Sequence, residues 1–253
     1  MKIGFRIFPN RLWELKYCIK YNLEIEYRID NDNIYEYGRK KLEKILNKYK
    51  ISIASLHYPF RGENILLSHY YKSNRRKAIE SIKKYLGLCE SIKTKVMVIH
   101  DEVPLGGVEL YEKSLREISE IAREKNIKIA LENARTNPYF LLELLEYTGN
   151  LDNIGIAYDL GHANIQFGNK EVIPFIERAK EKIFHLHLHD NNGVYDEHKI
   201  PGQGIIDYPK VIEKLNSMLF KGYGILELSW SIETDYAIRK SLENLKKFGL
   251  CNS

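Results

Sequence analysis

Apolar runs and amphipathic stretches alternate eight times along the chain. Each run is rich in Ile, Val, Leu or Tyr, as in a buried strand, and the stretch that follows repeats apolar residues at helical spacing. In residues 72–92, for example, Ile79, Ile82 and Leu86 recur at steps of three or four. The predicted strands are Lys2–Phe8, Leu23–Ile29, Ile51–His57, Lys95–His100, Lys128–Asn133, Ile154–Asp159, Ile183–Asp190 and Gly222–Leu228. The predicted helices are 11–21, 35–49, 72–92, 108–125, 138–148, 170–181, 208–219 and 233–248.

This alternation predicts a parallel sheet, because helices that connect parallel strands cross over with one hand. Eight units in 253 residues favour closure into a (β/α)8 TIM barrel of the α/β class, with residues 1–253 as a single domain. The main alternative is an open doubly wound sheet, which is expected to carry a glycine-rich phosphate loop after its first strand. The segment Arg6-Ile7-Phe8-Pro9-Asn10 is not such a loop. The barrel is therefore the predicted fold.

The composition narrows the class of protein. Charged residues make up 29% of the chain, and no apolar run approaches the roughly 18 residues needed to span a bilayer. Residues 1–8 run directly into a strand pattern without a signal peptide, and the cysteines (Cys18, Cys89 and Cys251) form no CxxC pair. We therefore expect a cytoplasmic protein without a membrane partner or a disulfide framework. The net charge of +5 suits an anionic small molecule or a nucleic acid and does not separate the two.

The seventh predicted strand combines a strand pattern with unusual chemistry. His185, His187 and His189 share one face of this strand, opposite an apolar face. Asp196 and His198 follow in the next turn. Neutral imidazole and carboxylate are preferred ligands of Zn²⁺, Mn²⁺ and Fe²⁺. The alternative is a polar strand edge whose histidines lie together by chance.

Residues of metal-ligand type also lie at the ends of six successive predicted strands, the third to the eighth. They are, in chain order, His57, His100, Glu132, Asp159, His187 and Glu227. The carboxyl ends of the strands of a TIM barrel meet at one face and form its active site, so these side chains are expected to build a metal site. For Glu132 and Glu227 the alternative is an ion pair with Arg6 or Arg28, since a buried carboxylate needs a cation.

The segment Asp159-Leu160-Gly161-His162 places two potential ligands three residues apart at the end of the sixth strand. Gly161 would let the chain turn sharply between them, because glycine adopts backbone conformations that other residues avoid. We therefore expect a strand-to-loop turn that brings Asp159 and His162 to the same site.

Five segments resemble the xylose isomerase-like barrels, a superfamily that contains sugar and sugar-phosphate isomerases and epimerases and the endonuclease IV group of abasic-site nucleases. The segments are His57-Tyr58-Pro59-Phe60, Leu131-Glu132-Asn133, Asp159-Leu160-Gly161-His162, His187–Gly204 and Leu226-Glu227. The resemblance covers nearly the whole chain, from the first strand through Glu227. It implies a shared metal site built by Glu132, Asp159, His187 and Glu227.

The two branches of the superfamily imply different numbers of ions. In the isomerase and epimerase branch the four residues hold one divalent ion (Zn, Mn or Mg) that binds two oxygens of the sugar. In the nuclease branch two or three zinc ions are held, and the additional ligands match His57, His100, His162, Asp196 and His198. The chain departs from the nuclease pattern at Ala157 and Gly161, where that branch has Cys, and at His189, where it has Asn. It departs from the epimerase pattern at His198-Lys199, where an Arg commonly precedes the Pro-Gly-x-Gly turn.

The leading functional prediction is a sugar isomerase or epimerase, in which a small sugar or sugar derivative loses and regains a proton beside a carbonyl. Glu132 and Glu227 would exchange protons with carbon and also bind the metal, while His162 would bind a substrate hydroxyl. The predicted substrate contacts are His57, His100 and Trp230. The first alternative is a zinc phosphodiesterase that acts on abasic-site DNA. The further alternatives are a lyase or dehydratase that uses the same enolate chemistry, and a binder without catalytic activity.

Overall fold

Eight parallel strands pair in chain order and close into a barrel, because β1 also pairs with β8. The computed structural model describes residues 1–30, 35–49, 51–59, 66–149 and 151–250. Its strands are β1 (Lys2–Ile7), β2 (Glu24–Arg28), β3 (Ile53–His57), β4 (Val96–His100), β5 (Lys128–Glu132), β6 (Ile154–Asp159), β7 (Ile183–Leu188) and β8 (Tyr223–Leu226). Each lies within its predicted range, so the predicted (β/α)8 barrel is confirmed.

Helices connect the strands and cover the outside of the barrel. In the described part of the chain they are α1 (Leu15–Lys20), α2 (Tyr35–Lys48), α3 (Lys72–Ser91), α4 (Val108–Glu124), α5 (Pro138–Tyr147), α6 (Leu160–Phe167), α7 (Asn169–Ala179), α8 (Tyr208–Ser217) and α9 (Thr234–Lys247). Short 3₁₀ turns at Leu12–Glu14 and Lys180–Lys182 precede α1 and follow α7.

The predicted turn at Gly161 is wrong, because α6 begins at Leu160, directly after β6. The Asp159 carboxylate accepts the backbone N–H of His162 at 2.7 Å and caps this helix. Gly161 therefore lies in the first turn of a helix. Its missing side chain makes room for a neighbour, since a Cβ there would overlap the ring of His189.

Apolar side chains pack on both faces of the strands. Tyr27, Met97 and Leu186 belong to the large core between the barrel and its helices. A second, smaller cluster contains Val96, Val98, Ala130 and Ala157. The last three each lie two residues before the end of a strand, on the same strand face as its terminal polar residue. They form an apolar floor beneath the carboxyl ends of β4, β5 and β6.

Within the described ranges, no helix is both long enough and apolar enough to cross a membrane. Cys18 and Cys89 are free and buried. Cys251 and Phe60 lie outside the described residues.

Candidate metal centre

Four buried side chains converge at the carboxyl ends of the last four strands. They are Glu132 at the end of β5, Asp159 at the end of β6, His187 in β7 and Glu227 just after β8. Their donor atoms all lie within 4.8 Å of one another. The Nδ1 atom of His187 is 2.8 Å from Glu227 Oε1, 3.2 Å from Glu132 Oε1 and 3.6 Å from Asp159 Oδ2. The fold therefore assembles the four-residue set expected from the sequence.

A second group surrounds Glu132 on the side of β3 and β4. His57 Nε2 lies 2.9 Å, and His100 Nε2 3.0 Å, from Glu132 Oε2. The Nδ1 atom of His57 lies 2.8 Å from the carbonyl oxygen of Tyr58 and therefore donates its proton there. In a neutral ring the lone pair on Nε2 then faces the Glu132 carboxylate. A proton or another cation between the two atoms is needed to make that contact favourable.

A third group lies at the rim, on the loop after β7. His198 has the same arrangement as His57, because its Nδ1 is 3.0 Å from the Glu227 carbonyl oxygen and its Nε2 is 3.0 Å from Asp196 Oδ2. His189 stacks on His198 with ring centroids 4.1 Å apart. Together, His189, Asp196 and His198 form a further possible metal-binding group.

His162 connects the rim to the deeper groups. From α6, its Nδ1 lies 3.5 Å from Glu132 and 3.6 Å from Asp159, and its Nε2 lies 3.5 Å from Asp196. The ring is partly exposed to the cavity above. All nine residues that the resemblance associates with metal binding thus lie in one continuous cluster.

The loop that carries Asp196 and His198 is held in place by Asp190, which directly follows His189. The Asp190 carboxylate accepts backbone N–H groups from three positions along this loop, Asn191, Gly202 and Ile206. A buried carboxylate with several backbone donors fixes the path of a loop without secondary structure of its own. Asp190 is therefore a structural acid, although its residue type alone would also suit a metal ligand.

Two buried residues beneath the ligand group, Arg6 and Glu26, were not among the predicted ligands. Arg6 Nε donates to Glu26 at 2.8 Å, and the guanidinium also contacts both carboxylate oxygens of Glu227. The ion pair between Arg6 and Glu227, which was the alternative to metal binding, is therefore present. The signal in the sequence was a charged residue between two apolar residues, in Phe5-Arg6-Ile7 and Ile25-Glu26-Tyr27, although Glu24 and Arg28 flank the second segment.

Two carboxylates of the centre, Glu132 and Asp159, are ionised. Burial alone would raise the pKa of Glu132, but His100 and His187 hold it well below its usual range. In the same way burial opposes the charge on Asp159, and the neighbouring His162 holds the pKa of that carboxyl well below its usual range. The centre therefore presents negative oxygen ligands at neutral pH.

The histidines divide into neutral and charged rings. Burial lowers the pKa of His57, His100 and His189, which favours neutral rings able to bind a metal. Burial opposes the charge on His187 as well, but Glu26 and Glu132 raise its pKa well above the usual range. Burial also opposes the charge on His162, but the carboxylate of Asp159 raises its pKa to about 9. His162 therefore carries a proton at neutral pH.

This donor set fits a divalent cation. Three carboxylates and one imidazole, all buried, face one another. Among the contacts of the described residues, Arg6 reaches Glu26 and Glu227, whereas Glu132 and Asp159 are left to the surrounding histidines. Buried carboxylates are unfavourable without a compensating cation, and oxygen and imidazole ligands suit Zn²⁺, Mn²⁺ and Mg²⁺.

A cavity of about 880 Å³ opens above the ligand group. The predicted site residues that line it are Glu132, His100, His162, Asp196, His198, Glu227 and Trp230. Trp230 is 61% exposed and packs its edge on Phe8, with ring centroids 5.3 Å apart. His57 is fully buried behind Glu132 and does not itself line the cavity. The volume suits a small molecule, because such sites typically measure about 300–1,000 Å³.

Known proteins share this architecture. Residues 21–248 match the family model described as xylose isomerase-like TIM barrel. The uncharacterized protein MJ1311 of Methanocaldococcus jannaschii is 30% identical over 202 residues, which are 72% of this chain and 66% of that protein. The match therefore spans just under two thirds of the length of this relative.

Two further relatives carry descriptive names. An inosose isomerase of Halalkalibacterium halodurans is 29% identical over 244 residues, which are 87% of this chain and 83% of that protein. The crystal structure of a D-tagatose 3-epimerase-like protein superposes with a TM-score of 0.80 at 27% identity, covering 98% of this chain and 97% of that one. Since the family match covers most of the chain, the protein belongs to the xylose isomerase-like TIM barrel family.

Proposed function

We propose that this protein is a divalent-metal-dependent isomerase or epimerase of a small sugar or sugar derivative. The observation that carries the proposal is the placement of Glu132 and Glu227, which approach His187 Nδ1 to 3.2 and 2.8 Å and both line the cavity. Two carboxylates beside one bound ketose can remove a proton from carbon and return one to another position or face. The names of the relatives, an inosose isomerase and a D-tagatose 3-epimerase-like protein, support a sugar substrate.

In this proposal Glu132, Asp159, His187 and Glu227 hold the metal ion. When bound, a divalent cation supplies electrostatic stabilisation of the negative charge that develops as a proton leaves the carbon beside a carbonyl. Glu132 is ionised and can accept that proton, since His100 and His187 hold its pKa low against the effect of burial. Glu227 is the partner carboxylate on the other side of the His187 ring nitrogen.

The remaining residues bind and orient the sugar. His162 lines the cavity with a proton available, and it would donate a hydrogen bond to a substrate oxygen. Trp230 and Phe8 form an apolar wall on which a sugar face can pack. His100 also lines the cavity and would contact the far end of the substrate.

The test is proton exchange between substrate and solvent. The protein is loaded with Mn²⁺ or Zn²⁺ and incubated in D₂O with an inosose or with D-tagatose, and NMR spectroscopy follows deuterium at the carbon beside the carbonyl. The wild type is expected to exchange, whereas Glu132→Gln and Glu227→Gln are expected to lose exchange. Glu197→Gln is the control, because Glu197 lines the same cavity but pairs with Lys199 at 2.8 Å.

Retained exchange in both glutamine variants would contradict the assigned roles. Elimination of water from the substrate by the wild type would instead identify a dehydratase.

One observation favours a second candidate, a zinc phosphodiesterase that acts on abasic-site DNA. His57 and His198 each direct one ring nitrogen at a backbone carbonyl and the other at a carboxylate. That arrangement is typical of an imidazole that is oriented by a carbonyl and binds a metal on its other nitrogen. In this candidate the additional histidines and Asp196 would hold further zinc ions, whose chemistry is the activation of water and the stabilisation of a leaving oxygen.

Metal counting separates the two candidates. Elemental analysis is expected to give one ion per chain for the isomerase, and two or three zinc ions would contradict that proposal. A DNA duplex with one abasic site provides the direct assay. Nicking of the strand that carries the abasic site would establish the nuclease.

A further inference from the structure

Glu26 makes a set of contacts that neither candidate reaction uses. It is fully buried in β2, and its carboxylate reaches across the barrel to β7. Oε2 lies 2.9 Å from Nε2 of His185, and Oε1 lies 3.3 Å from Nε2 of His187. Arg6 Nε and Ser55 Oγ donate to the same carboxylate at 2.8 and 2.7 Å. Glu26 is thus the hydrogen-bond acceptor at the centre of a buried polar network.

The ring of His187 lies between two acidic groups. Its Nδ1 faces the ligand group, at 2.8 Å from Glu227 and 3.2 Å from Glu132. Its Nε2 faces Glu26, whose two carboxylate oxygens lie at 3.3 and 3.4 Å. The two nitrogens of one imidazole therefore serve different purposes.

Burial opposes the charge on His187, but Glu26 and Glu132 raise its pKa well above the usual range in the metal-free protein. A ring that binds a cation is neutral, with one nitrogen that donates and one that accepts. An acceptor as strong as the Glu26 carboxylate favours the proton on Nε2, which leaves the lone pair of His187 on Nδ1. Arg6 Nη2 lies 3.4 Å from Nδ1 and 3.3 Å from Nε2. Because these distances are nearly equal, the guanidinium does not favour one ring nitrogen over the other.

We propose that Glu26 is a positioning residue of the metal centre. Its carboxylate accepts the Nε2 proton of His187 and so directs the Nδ1 lone pair toward Glu132, Asp159 and Glu227. The proposal rests on the metal centre of the proposed function and names the residue that orients its one imidazole ligand. In this arrangement Glu26 acts on the metal centre through His187, although its carboxylate also lies within 4.8 Å of donor atoms of His57 and His187.

Zinc affinity provides the first measurement. Glu26→Gln removes the charge, and Glu26→Asp keeps the charge but withdraws it from His187 by one methylene. Each variant is expected to bind Zn²⁺ about 10–100-fold more weakly than the wild type in competition with a chromophoric chelator. Ser55→Ala is the matched control, because Ser55 contacts the same carboxylate without contacting His187 in the hydrogen bonds of the described residues. It is expected to bind zinc as the wild type does.

The second measurement follows the His187 proton directly and needs neither activity nor metal. In ¹⁵N-histidine-labelled protein, the Nε2 proton of His187 is expected at low field and slow to exchange with water. In Glu26→Gln this signal is expected to move upfield and exchange faster. A purely structural role for Glu26 predicts lower stability with the His187 signal unchanged.

The outcomes are distinguishable. Unchanged zinc affinity together with an unchanged His187 signal in both Glu26 variants would overturn the proposal. A wild type that binds no zinc would remove the metal centre of the proposed function. The His187 signal of the metal-free protein then decides about Glu26 alone: a shift in Glu26→Gln supports the contact, and no shift overturns it.

Discussion

Gly161 lies directly against the imidazole of His189, so closely that a Cβ on Gly161 would overlap three atoms of the ring. Gly161 belongs to the first turn of α6, and His189 follows β7. The contact therefore joins the helix that carries His162 to the loop that carries Asp196. The rim of the site depends on this close approach.

Gly161→Ala is expected to destabilise the protein. In a helix the change from Gly to Ala normally stabilises by about 1 kcal/mol. Here the added methyl group meets His189 and forces the ring or α6 to move, at a cost of about 1–3 kcal/mol. Urea denaturation measures the net change in the free energy of unfolding.

Gly87→Ala is the matched control for this substitution. Gly87 lies within α3, and a Cβ there would meet nothing within 4 Å. This variant is expected to be more stable than the wild type by up to about 1 kcal/mol. An equal gain in stability for both variants would show that Gly161 and His189 do not constrain each other.

Arg6→Met is expected to be strongly destabilising in metal-free protein. Arg6 pairs with the buried carboxylates of Glu26 and Glu227, and removing one partner of a buried pair costs about 3–5 kcal/mol. Added zinc should restore part of the lost stability, because a bound cation compensates the negative charge that Arg6 no longer pairs. Thermal unfolding with EDTA and with zinc measures both effects.

The control for Arg6 is Arg239→Met. Arg239 pairs with Glu243 at 2.7 Å on the surface of α9, where water and salt screen the charges, so the loss of this pair is expected to change stability little. A loss of the same size in both variants would mean that the buried network around Arg6 contributes no more than a surface pair.

The sequence predicted the strands and the grouping of the candidate metal ligands, because both depend on local patterns. Each ligand ends an apolar run, so the rule for parallel barrels places Glu132, Asp159 and His187 together. Helix α6 was missed because a glycine locally indicates a turn. The glycine at position 161 is instead required by the close approach of His189, which follows a different strand. Glu26 was missed for the same reason. Its partners His185 and His187 lie 159 and 161 positions away, and no local pattern reports that distance.

Trp230→Ala is expected to raise KM with little effect on kcat. Trp230 lines the cavity and is exposed. The substitution removes one edge-to-face contact with Phe8, which contributes about 0.5–1.5 kcal/mol to stability. Trp13→Ala is the control, because Trp13 loses a similar contact with Tyr17 but lines a neighbouring cleft. Steady-state kinetics should give a raised KM for Trp230→Ala and a wild-type KM for Trp13→Ala. Urea denaturation should give a similar loss of stability for both variants. Equal KM values would place the substrate away from Trp230.

The protonation of His162 predicts a specific pH dependence of stability. Against the effect of burial, Asp159 and Asp196 raise the pKa of His162 from 6.5 to about 9 in the folded protein. A raised pKa means that folding favours the protonated ring. This contribution is complete below about pH 6.5 and is lost as the pH rises through about 9.

In the presence of EDTA, His162→Gln should therefore show a smaller fall in the free energy of unfolding between pH 6.5 and 9 than the wild type. Urea denaturation across this range measures it. His69→Gln is the control, since His69 lies outside the cavity beside Tyr70 and should keep the wild-type curve. A His162→Gln curve parallel to that of the wild type would mean that His162 does not gain a proton on folding.

The contact between Arg6 and Glu227 joins residues 221 positions apart, on either side of the pairing of β1 with β8. No contiguous half of the chain contains both, so a nascent or truncated protein cannot assemble this charge network before the last strand docks. Contacts of such sequence separation form late and slow the folding of a domain. An ion that binds the closed barrel and not the unfolded chain favours barrel closure by mass action. The rate of metal binding during refolding would therefore report the rate at which β1 and β8 pair and the barrel closes.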